Sequence, residues 1–140
     1  MTTKKLISTP FAPGPVNNAP YSQAILIDSK TLYVSGTLGL SVNTGKLVEG
    51  GFDNEMQQAM KNLEAILRAG NSSFDKLIKV NIFLDDMNDF FKMNEIYRTY
   101  VKKNYPARCV VQAARLPVNA KVEIEAIAIS GDLAPSECTC

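Results

Sequence analysis

The stretch Ala120-Lys121-Val122-Glu123-Ile124-Glu125-Ala126-Ile127-Ala128-Ile129 decides how this chain folds. Successive side chains of a β-strand point to opposite faces of the sheet, so every second residue shares a face. On that rule Val122 and Ile124 lie on an apolar face with two alanines, while Glu123 and Glu125 lie together on the other face. The alternation therefore predicts a strand that buries one face in a core and presents two carboxylates on the second.

Working back from this strand, the sequence predicts two helices. Residues 53–69 form the clearer one, because apolar residues recur at helical spacing, Asp53 can serve as the N-cap and Gly70 follows as a stop. Asp86 or Asn88 can cap the second helix, which runs to about residue 103, before a proline that disfavours helix.

Runs rich in β-branched and apolar residues predict strands at residues 5–8, 21–27, 31–35, 77–84 and 107–113, and a short additional strand is expected near Leu47. The order is three strands, a helix, a strand, a helix and two strands. This order predicts an α+β domain in which a mixed β-sheet carries both helices packed on one face.

Such a sheet has an uncovered face and at least one open edge. The uncovered face is mostly apolar but carries Glu123 and Glu125, a combination that favours packing against another copy of the chain. We therefore expect an oligomer whose sites lie at subunit interfaces.

Length and composition are typical of one globular domain: 140 residues, 46% hydrophobic and 21% charged. We expect a single domain over residues 1–140, with its core at about 5–130 and a loose tail at 131–140 that holds Cys138 and Cys140. A net charge of +1 argues against a dedicated nucleic-acid binder.

The apolar runs are too short for a signal peptide or a membrane span. The three cysteines do not form a secreted disulfide pattern. A cytoplasmic protein is therefore expected, with a mitochondrial or nuclear pool left open.

The chain contains no histidine. Histidine is the commonest general base near neutral pH and the commonest metal ligand. Its absence excludes a Ser-His-Asp or Cys-His nucleophile within one chain and every zinc site that uses histidine. We therefore expect chemistry without a metal or cofactor, performed by Arg, Lys, Glu, Asp, Tyr, Cys, backbone groups and water.

Arg108 follows Pro106-Ala107, where a predicted helix gives way to a strand. An arginine mounted there can bind a carboxylate through two parallel hydrogen bonds. The alternative is a surface arginine in an ordinary ion pair, which is common and weak. Spacing alone does not separate the two.

Three other residues are candidates for a site. Glu123 can hold and polarise a water for attack on a C=N carbon, or it is a solvated side chain or an intersubunit ion-pair partner. Tyr21 can donate its phenol to a ligand, or it is a strand aromatic with a satisfied hydroxyl. Cys109 would be redox-reactive if it is exposed beside Arg108, and otherwise only fills the strand.

Five short motifs occur in a fixed order along the chain: Ala19-Pro20-Tyr21-Ser22-Gln23-Ala24, Tyr33-Val34-Ser35-Gly36, Asn94-Glu95-Ile96-Tyr97, Pro106-Ala107-Arg108 and Val122-Glu123-Ile124-Glu125-Ala126. Together they resemble the successive motifs of the RidA/YjgF family, from about Leu6 to Ile129. The resemblance implies a chorismate-mutase-like fold, a homotrimer with clefts between subunits, and hydrolysis of 2-iminopropanoate, 2-iminobutanoate and their enamine tautomers to 2-oxoacids and ammonia.

The resemblance also implies roles for individual residues. Arg108 would hold the substrate carboxylate, Glu123 would orient the attacking water, and Tyr21 would line and polarise the site. Backbone groups near Gly36 and Cys109 would complete the substrate-binding cradle. No histidine, metal or cofactor is needed, because such intermediates hydrolyse unaided and require only positioning and charge stabilisation.

The sequence departs from the family pattern at two places. The family usually has glycine before Pro-Tyr-Ser-Gln, where this chain has Ala19 after a longer loop. The family's Ser-Gly-Gln is Ser35-Gly36-Thr37 here. Both changes touch the expected rim of the cleft and therefore bear on which substrates fit.

Two other functions stay open from the sequence. The first is an endoribonuclease or translation inhibitor, against which the near-neutral charge and the missing histidine pair both count. The second is a non-enzymatic trimer, chaperone-like or binding small carboxylates, which would need Arg108 but not Glu123.

Overall fold

The computed structural model describes residues 1–139, and Cys140 lies outside the described residues. The strands are β1 (Lys4–Ile7), β2 (Ala24–Ile27), β3 (Thr31–Leu38), β4 (Leu77–Leu84), β5 (Ala107–Gln112) and β6 (Val122–Ile129), and the helices are α1 (Phe52–Ala69) and α2 (Phe90–Tyr100). The short strand predicted near Leu47 is not formed: Leu47 makes only an isolated β-bridge with Leu40 in the long loop.

The strands form one mixed sheet in the order β1-β2-β3-β6-β4-β5. All neighbours run antiparallel except β4 and β5, which are parallel. The last strand of the chain, β6, therefore lies in the interior of the sheet between β3 and β4. The predicted α+β class with a mixed sheet is confirmed.

Both helices cover one face of the sheet. Helix α1 packs over β3 and β6, and α2 packs against α1. The core between the layers is built from alternate strand residues and the apolar stripe of α1: Leu32, Val34, Val80, Ile82, Ile124, Ala126, Met56, Met60, Leu63 and Leu67. Period-two strands and a period-3.6 helix thus meet along their apolar faces, as the sequence pattern requires.

The opposite face of the sheet, called the free face below, carries the residues of the other parity. Along β6 the residues alternate between buried Val122, Ile124 and two alanines and the half-buried residues between them, which include Glu123 and Glu125. The predicted placement of both glutamates on one face is confirmed. A second, smaller apolar cluster of Leu38, Leu40, Leu116 and Ala120, with Phe83 packed against it, covers one end of this face.

Helix α1 begins differently from the prediction. Its N-cap is Gly51, which has φ 82° and makes no side-chain capping bond. Asp53 instead lies in the first turn, where an acidic side chain suits the helix dipole, and its carboxylate lies 3.1 Å from Lys92 Nζ of α2. Gly70 ends the helix as predicted.

Helix α2 is shorter than predicted. Asp86 accepts the backbone N–H of Asn88 at 2.9 Å and caps a short 3-10 turn, Met87–Asp89, that leads into the helix. The helix ends at Tyr100 instead of near residue 103, because Val101 leaves the helical conformation and buries its side chain in the core.

Neither helix among residues 1–139 combines the length and the apolar character that crossing a bilayer requires. The segment 132–139 forms no helix or strand.

Candidate active site

A β-bulge in β3 shapes the first part of the site. Val34 pairs with Ala126 of β6 and Thr37 pairs with Ile124, so Ser35 and Gly36 together stand opposite one residue, Glu125. Such a bulge bends a strand and redirects the neighbouring side chains. The Glu123 side chain lies over Gly36, where a Cβ atom would overlap its carboxylate. Because Gly36 has no side chain, the Glu123 carboxylate can occupy the space above it.

Tyr21 is held beside this space by the loop that precedes β2. The backbone N–H of Val16 donates to the Tyr21 hydroxyl at 2.8 Å, which leaves the phenolic hydrogen available for a ligand. The Ser35 hydroxyl donates to the Ser22 carbonyl at 2.6 Å and ties this segment to β3. These bonds explain why β2 begins at Ala24, later than the predicted residue 21.

Gln23 anchors the rest of the loop. Its buried side-chain amide donates to the carbonyls of Thr9, Ala12 and Pro13 and accepts the N–H of Thr9, with distances between 2.7 and 3.1 Å. The wall that carries Tyr21 is therefore fixed by buried hydrogen bonds and not by packing alone.

Together these residues form an open concavity of about 610 Å³, called the glutamate cleft below. The polar side chains that line it are those of Asn17, Tyr21, Ser35, Glu123 and Glu125. Val16, Gly36 and Pro117 also line it.

Glu123 stands in apolar surroundings within this cleft. Its neighbours across the sheet are Leu38 of β3 and Phe83 of β4, both packed in the smaller apolar cluster. Burial raises the pKa of the Glu123 carboxyl above its usual value, and the charge of Glu125 raises it further. A carboxyl with a raised pKa keeps its proton to higher pH than an ordinary glutamate, which suits it to proton transfer.

Arg108 lies in β5 on the other face of the sheet. It pairs with the fully buried Val80 of β4, and its guanidinium contacts one side of α2. Arg108 Nη2 donates to Asn94 Oδ1 at 2.7 Å, and the guanidinium carbon lies 4.9 Å from the centre of the Tyr97 ring. A cation over an aromatic face is attracted by the ring quadrupole.

No carboxylate neutralises Arg108 within residues 1–139. The ion pairs in that part of the chain are Arg68–Glu64 and Lys92–Asp53. The common surface ion pair considered for Arg108 from the sequence is thus not the arrangement found. Its charge is held by neutral partners, which leaves guanidinium N–H groups for an anion.

The surface depression beside this guanidinium is called the arginine cleft below, and it is lined by Asn94, Tyr97, Arg98, Tyr105, Pro106 and Arg108. Tyr97 is almost wholly buried, and burial raises its pKa to about 12 even though Arg108 acts in the opposite direction. Its hydroxyl therefore stays protonated, and the tyrosine contributes a neutral ring and not a charge.

The structure brings three of the predicted site residues together and separates the others. Tyr21, Gly36 and Glu123 share the glutamate cleft, whereas Arg108 lies in the arginine cleft. Cys109 pairs with Asn81 and is exposed on the free face, next to Arg108 in sequence but outside the lining of both clefts.

Sequence reasoning missed the partners of Arg108. Asn94 and Tyr97 stand three residues apart, a spacing that places both side chains on one helix face. The spacing within Asn94-Glu95-Ile96-Tyr97 indicates that the two side chains share a helix face. It does not indicate that Arg108 is their partner, because that contact depends on how β5 pairs with β4.

Among residues 1–139, no group of three or more His, Cys, Asp or Glu side chains is placed to hold a metal ion. The residues that carry charge or donors in the two clefts are the arginines, glutamates, tyrosines, serine and two asparagines described above.

The chain is similar to named proteins over most of its length. It is 51% identical over 130 residues to "RutC family protein UK114" of Drosophila melanogaster, covering 93% of this chain and 92% of that protein. It is 46% identical over 130 residues to the human protein named "2-iminobutanoate/2-iminopropanoate deaminase", covering 93% of each.

Solved structures agree with the fold. The crystal structure of RidA from an Antarctic Psychrobacter superposes with a TM-score of 0.84 at 38% identity, covering 89% of this chain and 98% of that one. Escherichia coli TdcF, crystallised with bound serine, superposes with a TM-score of 0.82 at 34% identity, covering 91% and 99%.

The family model described as "Endoribonuclease L-PSP" matches residues 12–130, a range that includes every lining residue of both clefts. This match and the relatives confirm the resemblance to RidA/YjgF proteins and the chorismate-mutase-like fold that it implied. The chain belongs to the Endoribonuclease L-PSP family, which is the RidA/YjgF family.

Proposed function

We propose that the protein is a hydrolytic deaminase of reactive 2-imino acids and their enamine tautomers, with 2-iminopropanoate and 2-iminobutanoate as substrates and 2-oxoacids and ammonia as products. The observation that carries this proposal is the Arg108 guanidinium, fixed by Asn94 and Tyr97 and without a carboxylate partner among residues 1–139. The names of the human, mouse and rat relatives support the same activity.

In this proposal Arg108 binds the carboxylate that every 2-imino acid carries. A planar guanidinium matches a carboxylate through two parallel N–H···O bonds. Because Asn94 and Tyr97 already hold the guanidinium, little side-chain entropy is lost when the substrate binds. The bound carboxylate then places the adjacent C=N carbon at a fixed distance from the arginine.

Glu123 supplies the proton transfers in the same proposal. Its carboxylate accepts a proton from a water whose oxygen adds to the C=N carbon, and returns this proton to the nitrogen to give a carbinolamine. The same carboxylate then moves the hydroxyl proton of the carbinolamine to the amine, which leaves as ammonia as the C=O bond of the 2-oxoacid forms. The Tyr21 hydroxyl, which accepts from Val16, donates its own hydrogen to the substrate. Backbone groups near Gly36 and Cys109 complete the cradle.

The two clefts serve one substrate only if they come from different copies of the chain. Strands β5 and β6 are separated by β4, so their axes lie about 10 Å apart, and Arg108 and Glu123 point to opposite faces of the sheet. We therefore place each site between Arg108 of one subunit and Glu123 and Tyr21 of its neighbour, in the homotrimer that the family resemblance implies. The cytoplasm is its expected location.

A coupled assay tests the activity. Threonine dehydratase generates the imine in the cuvette, and semicarbazide traps whatever survives as a semicarbazone. Added protein is expected to suppress the semicarbazone signal, and Arg108→Ala to abolish this effect with an unchanged circular dichroism spectrum. Arg68→Ala is the matched control, because Arg68 is paired with Glu64 on α1 and lies outside both clefts.

If wild-type protein leaves the semicarbazone signal unchanged, the deaminase proposal is wrong. The Glu123→Gln variant distinguishes a deaminase from a protein that only binds the carboxylate. A carboxylate-binding protein would bind 2-oxobutanoate equally well with and without the substitution and release no ammonia in either form.

The name of the family model favours a second candidate, an endoribonuclease. A net charge of +1 and the absence of histidine count against it. Ribonuclease activity that stays with the protein through several columns and is lost in Arg108→Ala would support this candidate. Activity that separates from the deaminase during purification would exclude it.

A further inference from the structure

Glu123 has a second carboxylate as its neighbour in the glutamate cleft. Glu125 lies two residues along the same strand and on the same face, and both side chains line the cleft. Alternate residues of a strand are about 7 Å apart, close enough for two carboxylates in a partly buried site to interact. The function proposed above uses Glu123 and leaves Glu125 without a role.

Glu125 is held in place from β4. Asn81 stands directly opposite it, and Asn81 Nδ2 donates to Glu125 Oε1 at 2.8 Å. On the other side Glu125 faces the bulge of Ser35 and Gly36. The two glutamates therefore differ in their surroundings: Glu125 accepts an amide hydrogen bond, whereas Glu123 lies between Leu38 and Phe83.

The other charged or titratable groups on this face lie further away or make other contacts. Lys79 of β4 and Tyr33 of β3 both stand opposite Ile127, about 13 Å along the strand from Glu123. Lys121 precedes β6, the Tyr21 hydroxyl accepts the backbone N–H of Val16, and Cys109 of β5 stands beyond Asn81, on its far side from Glu125. The pKa of the Glu123 carboxyl is raised first by burial and then by the charge of Glu125.

We propose that Glu125, positioned by Asn81 and beside Glu123 in the same cleft, is a functional partner of Glu123, and that Glu123 delivers a proton to the enamine tautomer of the substrate. Where the surroundings of two neighbouring carboxyls give them different pKa values, one commonly acts as the acid and the other as the base or as a charge. This inference rests on the proposed deaminase function and assigns it a further step, the conversion of enamine to imine on the protein.

The step balances as a proton transfer. The π pair of the enamine C=C bond forms a C–H bond with the Glu123 carboxyl proton, and the nitrogen lone pair forms the C=N bond of an iminium. Glu123 is left as a carboxylate. It then accepts a proton from the water that adds to the C=N carbon, which restores the carboxyl form. Glu125 does not contact the reacting atoms and is a positioning residue.

The role of Glu125 is tested without turnover, by NMR titration of the assembled protein labelled with 13C at the glutamate carboxyls. The Glu123 signal is the one that Glu123→Gln removes. We expect its midpoint to shift to lower pH in Glu125→Gln, which keeps an acceptor for Asn81 but removes the charge. Glu125→Asp retains the charge and should keep the midpoint high. Glu95→Gln, on the exposed side of α2, is the matched control and should cause no shift.

An unchanged Glu123 midpoint in Glu125→Gln overturns the pairing of the two glutamates. Because this titration needs no substrate, its result is independent of whether the deaminase proposal holds. Because Glu123 must carry a proton to react with the enamine, the basic limb of the kcat/KM profile in the coupled assay is expected to move to lower pH in Glu125→Gln, in step with the titration.

Proton delivery is tested by stereochemistry. Threonine dehydratase in D₂O supplies 2-aminocrotonate, whose protonation at C3 creates a stereocentre in 2-oxobutanoate. Delivery by Glu123 is expected to give an excess of one deuterated enantiomer over the reaction without protein, and Glu123→Gln to lose that excess. A racemic product with wild-type protein, measured while ammonia release is accelerated, overturns the delivery step and leaves the deaminase function intact.

Discussion

Gly36 is the residue on which the geometry of Glu123 depends most directly. A methyl group at this position would overlap the Glu123 carboxylate, which is the mobile end of a side chain and can move away without disturbing the backbone. We expect Gly36→Ala to retain the fold and its melting temperature within a few degrees but to lower kcat/KM about 100-fold, because small displacements of a catalytic group are costly. The coupled assay and thermal melting measure the two effects.

Gly14 provides the control for this substitution. A Cβ atom added at Gly14 has no neighbour within 4 Å. Gly14→Ala is therefore expected to leave kcat/KM within about twofold of wild type, as surface substitutions usually do. Equal activity in the two variants would show that the position of the Glu123 carboxylate does not limit the reaction.

The ring and the hydroxyl of Tyr97 have opposite effects: the ring contacts the Arg108 guanidinium, and the buried hydroxyl lowers stability. Tyr97 is 4% exposed, and its hydroxyl has no hydrogen-bond partner among the described residues 1–139. Removing a buried unsatisfied group recovers its desolvation penalty, so Tyr97→Phe should raise the free energy of unfolding by about 1 kcal/mol. Urea denaturation measures this change.

A second variant distinguishes the effect of the Tyr97 ring from that of its hydroxyl. Tyr97→Phe keeps the ring under Arg108, whereas Tyr97→Leu removes it. We expect the phenylalanine variant to keep the wild-type KM and the leucine variant to raise KM about fivefold, since an aromatic face contributes about 1 kcal/mol to holding a cation. A destabilised phenylalanine variant would show that the hydroxyl has an unseen partner such as a buried water.

At the scale of elements, the turn at Pro117–Asn119 carries backbone strain beside the glutamate cleft. Val118 has φ 51°, a conformation that β-branched residues rarely adopt, and it is 43% exposed, so packing does not require a valine. Val118→Asn should raise the free energy of unfolding by about 1 kcal/mol, because asparagine tolerates this region.

Val42 is the matched control for that change, with 41% exposure and no positive φ. Val42→Asn is expected to change stability by less than about 0.5 kcal/mol. If both substitutions have the same effect in urea denaturation, the gain at Val118 does not come from its backbone conformation.

The elements that sequence could predict are those that depend on local periodicity. The apolar stripe of α1 and the alternation of β6 need no knowledge of partners, and both were predicted correctly, as was the shared face of Glu123 and Glu125. The bulge at Ser35 and Gly36 could not be predicted, because it exists only in the register between β3 and β6. The predicted end of this strand at residue 35 was accordingly three residues short of Leu38.

The same limit applies to the site. Arg108, Glu123 and Tyr21 were selected by residue type and motif, but the face on which Arg108 lies follows from its pairing with Val80. Register and strand order arise from contacts that are distant in sequence, so one strand's alternation does not show how two strands face each other.

At the scale of the whole molecule, the opposite placement of Arg108 and Glu123 predicts complementation between inactive subunits. Arg108→Ala retains a complete glutamate cleft, and Glu123→Gln retains a complete arginine cleft. Each variant alone should be inactive. When the two are unfolded together and refolded at equal amounts, about one site in four of a cyclic assembly combines an intact Glu123 with an intact Arg108 of its neighbour.

The expected result is therefore about one quarter of wild-type activity in the coupled assay, given statistical mixing of subunits in closed rings. Mixing the folded variants without denaturation is the control for subunit exchange. No recovery in a mixture whose hybrid assemblies are demonstrated by mass spectrometry would place both residues in sites within single subunits.

The interior position of β6 has a consequence for synthesis on the ribosome. Strands β3 and β4 emerge first, and each keeps an open edge until β6, the final strand of the chain, pairs with both. A nascent chain lacking residues 122–129 cannot join the two parts of the sheet, and its unpaired edges can pair with other chains. The sheet is therefore completed only after residues 122–129 have left the exit tunnel, and a chain terminated before β6 is expected to be held by chaperones or degraded instead of forming a partly active enzyme.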